Sequence, residues 1–113
     1  HAQAGAASTY SSGPFQPFAR PAASILCGDF NMRPQDPLLA RLRQAYADAW
    51  ALAHPGAAHA PTFRLHDREH GETPYCCDFV FVSKELAERV ATVRIDARTQ
   101  ASDHQPVIAE FRP

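Results

Sequence analysis

No stretch of this sequence approaches the roughly 18 to 20 consecutive apolar residues that a membrane-spanning helix needs. The first residues likewise lack the basic and apolar regions of a secretory leader. Cysteine is scarce: Cys27, Cys76 and Cys77 are an odd number and form no C-x-x-C pair, which does not suggest a disulfide framework and makes a reducing, cytoplasmic setting the default reading. An excess of charge of one sign is lacking too. With a formal net charge of −1 there is no sequence-wide basic footprint for nonspecific nucleic-acid binding, so any phosphate partner must be held locally. What is present is 113 residues, 45% of them hydrophobic, enough for one modest core.

Residues 1–22 are rich in Ala, Ser, Gly and Pro without a periodic apolar face and read as a loop or flexible connection, with Tyr10, Phe15 and Phe18 as docking points. Ala23 to Cys27 reads as a buried strand ending at Gly28, with Cys27 a small core residue. Asp36 is the expected N-cap and Pro37 the first residue of a helix whose inner face is Leu38, Leu42, Ala45, Tyr46 and Ala49, leaving Arg41, Arg43, Gln44 and Asp48 to water. Ala51 to Pro61 reads as loop, with Trp50 as core. A short strand is expected at Thr62 to Leu65, then a charged loop from His66 to Pro74. Tyr75 to Ser83 reads as a strand covered on both faces, Ser83 as the cap of a short helix through Leu86 to Arg89, and Val90 to Ile95 and Val107 to Phe111 as further strands. The layout is mixed α and β, and no internal repeat is present.

Three motifs fall at the edges of these strands: Gly28-Asp29-Phe30-Asn31, Asp78-Phe79-Val80-Phe81, and Ser102-Asp103-His104-Gln105-Pro106. Strand alternation places Asp29 and Asn31 on one side and Phe30 in the core. An Asp offers a hard oxygen to a divalent cation or accepts a hydrogen bond from a water, and an Asn offers a neutral N–H to a phosphate oxygen. A carboxylate on one imidazole nitrogen fixes the tautomer and favours imidazolium, so an Asp78 to His104 contact would keep a cation facing a phosphate. Taken singly, such an acid is more often a turn or cap residue than a catalyst, and a lone histidine more often a structural one. Together they describe phosphoester chemistry.

The runs GDFN, DFVFVS and SDHQPV resemble the C-terminal half of the endonuclease/exonuclease/phosphatase superfamily, the phosphodiesterase fold shared by deoxyribonuclease I and the apurinic DNA-repair endonucleases. The resemblance spans residues 23–113. It implies an α/β (α+β) four-layer sandwich with the active site at one end, between two packed sheets. It also implies that Asp29 holds or orients the attacking water and shares the metal, that Asn31 binds the scissile phosphate, and that Asp103 sits beside the metal. Asp78 would orient His104, and His104 would contact the phosphate and move a proton. Mg2+ is the implied cofactor, with Mn2+ as its usual substitute. The substrate would be a phosphodiester or phosphomonoester, with DNA, RNA, inositol phosphates and sphingomyelin the options among such proteins, and Thr62, Phe63, Arg64 and the loop from His66 to Glu72 are the candidate substrate-binding positions.

The family's N-terminal half, which supplies a metal-binding Glu, an Asn and a further catalytic His, has no counterpart here. The expectation is therefore a C-terminal half of a domain of about 250 residues. Such a half would be weak or inactive alone and would expose an apolar sheet face suited to a homodimer or strand exchange. Two other readings compete. His66-Asp67-Arg68-Glu69-His70 matches the H-x-x-E-H pattern of zinc peptidases, though Gly71 and Pro74 close it off where that pattern needs a helix. The scaffold could instead serve as a non-catalytic interaction module.

Overall fold

The computed structural model describes residues 22–67 and 73–113. The opening loop as far as residue 21, with Tyr10, Phe15 and Phe18, and residues 68–72 of the charged loop lie outside the described residues. The elements run β1 (Ile25–Asp29), α1 (Pro37–Ala45), β2 (Tyr46–Asp48), α2 (Ala49–Ala53), β3 (Asp78–Ser83), a 3-10 helix (Lys84–Arg89), β4 (Val90–Ile95) and β5 (Val107–Phe111). They make a small mixed α/β unit with two antiparallel sheets, one of order β1-β3-β2 and one pairing β4 with β5.

β3 is the spine. Its apolar run alternates inside the sheet, so Phe79 and Phe81 pack with Leu39, Cys76, Phe30, Met32, Leu42 and Tyr46 on one face. Val80 and Val82 pack on the other with Ala49, Trp50, Val90, Val93 and residues of β5. Both faces are covered, as a continuous hydrophobic strand requires.

α1 starts where the sequence signals it, with Asp36 accepting the Leu38 N–H at 2.9 Å and Pro37 in the first turn. Its inner residue is Leu39, 1% exposed, whereas Leu38 is 56% exposed, a shift of one residue from the expected face. The helix also stops early. Tyr46–Asp48 pairs with Ser83, Val82 and Phe81 as β2, and Asp48 then caps α2 by accepting the Trp50 N–H at 3.0 Å. Asp48 is thus drawn from solvent, ion-paired to Arg43 at 3.6 Å, while Arg43 also donates to the Pro34 carbonyl.

Further expectations need correcting. β1 is an edge strand exposed along its whole length, with Ile25 at 50% and Leu26 at 42% and Cys27 exposed, because only β3 flanks it among the described residues. It does not end at Gly28 but passes through it to Asp29, with Gly28 at φ 141°, a conformation L side chains rarely adopt. Residues 62–65 form no strand; Phe63 alone bridges Tyr75 and His104. Ser83 makes no side-chain cap, its hydroxyl accepting instead from the Ser24 N–H at 2.9 Å. Trp50 is half-buried with its ring stacked on those of His54 and His59, centroids 4.0 and 4.5 Å away. No helix among the described residues is long and apolar enough to cross a membrane.

Phe81, fully buried between α1 and the sheet, tests this layering. Phe81→Ala is expected to lower the unfolding free energy by about 3–5 kcal/mol. Leu38→Ala should change it by less than about 0.5 kcal/mol in the same urea titration.

Candidate active site

The site begins with a register. β1 and β3 pair so that Asp29 stands directly opposite Asp78, and the pairing continues one step further through the Phe30 N–H to the Cys77 carbonyl at 2.8 Å. Opposed residues of an antiparallel pair project to the same face, which brings the two carboxylates together.

His104 reaches them from the far end of the chain. Residue 62 is the connector: the Thr62 N–H donates to the Tyr75 carbonyl at 3.0 Å, and the Thr62 carbonyl accepts the Gln105 N–H at 2.7 Å. Buried Gln105 anchors the other side, its amide donating to the Asp96 and Thr99 carbonyls at 2.8 Å each. The loop after β4 is thereby tied to the segment before β3. His104 Nδ1 meets Asp78 Oδ2 at 2.8 Å, and its Nε2 lies 3.6 Å from Asp29 Oδ2. The Phe63 ring lies against the imidazole, centroids 4.6 Å apart.

Asp78 is held tightly. The hydroxyl of Thr62, itself 0% exposed, donates to Asp78 Oδ2 at 2.6 Å and accepts from the N–H groups of Cys77 and Asp78. The Cys77 thiol donates to the same carboxylate at 3.5 Å. Thr62 therefore sits behind Asp78 with its hydroxyl fully engaged. Burial, reinforced by the charge of Asp78, pushes the Cys77 thiol up to about 12, so at neutral pH without a metal it is a protonated, weak donor. His104 moves up from the ordinary imidazole value. The Asp78 hydrogen bond is the main cause, and the charges of Asp78, Asp29 and Asp103 add to it against a desolvation that opposes the shift.

Ligand atoms of Asp29, Cys77, Asp78 and His104 all lie within 4.8 Å of one another. Asp103 is exposed and stands outside this group, its carboxylate near the Ser102 hydroxyl and its carbonyl accepting the Arg64 N–H at 2.9 Å. Alternation fails at Asn31: the strand has ended, Asn31 takes φ 53°, and its N–H donates to Asp29 Oδ1 at 2.7 Å. Arg64, at φ 64°, is the other left-handed non-glycine among the described residues, and its guanidinium carbon lies 5.1 Å from the Phe63 ring centroid. Both strained positions border the site.

Asn31 opens onto a groove also lined by Arg33, Gln35 and Tyr75, and a second groove shares those three and reaches His59. Cys77, Arg33 and Tyr75 were not singled out by the sequence reading; the adjoining cysteines just before Asp78 were the available signal for the first. Of the H-x-x-E-H run, His66 lies in a turn with Nε2 2.8 Å from the Ala97 carbonyl, and His70 lies outside the described residues.

A profile of the Endonuclease/Exonuclease/phosphatase family matches residues 10–104, which includes all three motifs up to His104. No curated protein matches the chain.

Two measurements check the network. Because the folded imidazole is raised, its stabilising contribution is present at low pH and is lost as pH rises through the folded value. The His104 ring protons, followed by NMR, should titrate above the unperturbed imidazole midpoint, and Asp78→Asn should bring that midpoint down. Thr62→Val, close in shape but without the hydroxyl, should cost about 1–3 kcal/mol of stability by leaving buried partners unsatisfied.

Proposed function

Because the chain belongs to the endonuclease/exonuclease/phosphatase family, whose members are in general hydrolytic and divalent-metal dependent, we propose that it serves as a Mg2+-dependent phosphoesterase acting on phosphodiesters. The observation that carries this reading is the line Asp78–His104–Asp29, in which one imidazole nitrogen is pinned to a held carboxylate and the other faces a second carboxylate across 3.6 Å.

Hydrolysis of a phosphodiester needs a positioned water, stabilisation of charge on the equatorial oxygens and a proton for the departing alkoxide. Asp29, on the open rim and with Oδ1 fixed by the Asn31 N–H, orients the water. His104 Nε2 has no partner within hydrogen-bond distance among the described residues, so it is available to donate to a phosphate oxygen and to move a proton. Asp78 keeps the donor directed and favours the charged form of the ring. Asn31 adds a neutral N–H donor for the scissile phosphate.

A hard cation fits part of this donor set. Asp78 Oδ2 is already occupied by Thr62 and His104, and the protonated Cys77 thiol is no ligand for Mg2+, so within the cluster the exposed carboxylate of Asp29 is the one that would hold it. When bound, the ion neutralises charge on the phosphoryl oxygens. The metal-binding Glu implied by the resemblance has no candidate in the cluster around Asp29 among the described residues.

The test is hydrolysis of bis(p-nitrophenyl) phosphate by the intact protein, with chelation by EDTA and restoration by Mg2+. Asp29→Asn and His104→Ala should each lower kcat by at least about 10²-fold. Full activity in both variants would remove the assignment.

A further inference from the structure

We propose that Arg33, laid on the ring of Tyr75, is a second phosphate subsite beside the Asp29–His104 centre, and hence that the substrate carries at least one phosphate besides the scissile one. This rests on the phosphoesterase reading.

The Arg33 guanidinium carbon lies 3.8 Å from the Tyr75 ring centroid. Stacking of this kind engages the flat face of the cation and leaves the N–H groups at its edge free, in the planar fork that matches a phosphate bidentately. Those N–H groups have no acceptor, and the cation no carboxylate partner, among the described residues. Asp36 shares the groove, but its carboxylate caps α1 through the Leu38 N–H. Among the described residues Arg33 is thus a stacked surface cation with no ion-pair partner, although the Asp36 carboxylate lines the same groove.

Its position ties it to the reacting centre twice. Along the backbone, Arg33 lines the same groove as Asn31, whose N–H holds Asp29. Through the rings, Tyr75 contacts Phe63 with centroids 5.6 Å apart, and Phe63 contacts His104 at 4.6 Å. A ligand with its scissile phosphate at His104 and Asn31 would run along this aromatic row toward the guanidinium. A strand of nucleotides and a compact polyphosphorylated ring both present such spaced phosphates.

Calorimetric titration of the intact protein distinguishes them. The ligands are thymidine 5′-monophosphate against a 5′-phosphorylated thymidine trinucleotide with phosphorothioate links, and inositol monophosphate against inositol trisphosphate. In at least one pair the multiply phosphorylated ligand should bind at least about tenfold tighter. Arg33→Gln should reduce that advantage to within about twofold. The pair that loses its advantage identifies the carrier. An advantage that survives Arg33→Gln, or no advantage in either pair, overturns the subsite. If the monophosphates bind in a manner lost in His104→Ala, the phosphoesterase reading stands without the subsite; if no ligand binds at all, both fall.

Discussion

The structure turns on two carboxylates held face to face. Asp29 and Asp78 are direct cross-strand neighbours, an arrangement that costs free energy between like charges unless a cation lies between them. His104 occupies that place. The proximity of the acids favours the imidazolium, and the imidazolium in turn makes their proximity tolerable. Each part of the arrangement supports the other, and it draws on three distant parts of the chain.

The scaffold serves that convergence. β3 is gripped on one face by α1 and its aromatic cluster and on the other by α2 and the β4–β5 sheet, so the start of β3, where Asp78 sits, is fixed by packing from both sides. Thr62 then transmits that rigidity outward, since its hydroxyl joins the Asp78 carboxylate to the backbone of Cys77 and Asp78. A buried polar group in full hydrogen-bond balance specifies one geometry, whereas an incomplete one would admit several. The open side of the site is by contrast exposed, at Asp29, Asn31 and Asp103.

What the sequence made legible was local chemistry. Asp36-Pro37 marks the start of α1 because capping depends on adjacent residues, and Phe79 to Val82 reads as a doubly covered strand because its run of apolar side chains is unbroken. The break after Ala45 was hidden, since helical spacing continues through Tyr46 and Ala49. The pairing with β3 that overrides it links residues far apart in the chain. The same holds for Leu39 against Leu38, adjacent residues of identical chemistry whose faces are decided by the sheet below. The expected partnership of Asp29 with Asn31 assumed that extended backbone continued past the glycine, and the left-handed turn at Asn31 ended it. Thr62 carried no signal of its role at all, because a lone threonine before a phenylalanine says nothing about a carboxylate sixteen positions away.

The antiparallel register also limits how this protein can vary over evolutionary time. Side chains on a strand change face with every residue, so inserting or deleting a single position within Ile25–Asp29 or Asp78–Ser83 would turn one of the facing acids to the opposite side of the sheet. Substitution can be absorbed at the exposed edge of β1. A change in length there cannot, and lineages of this chain should differ by replacement in these two strands and by indels only in the loops between them.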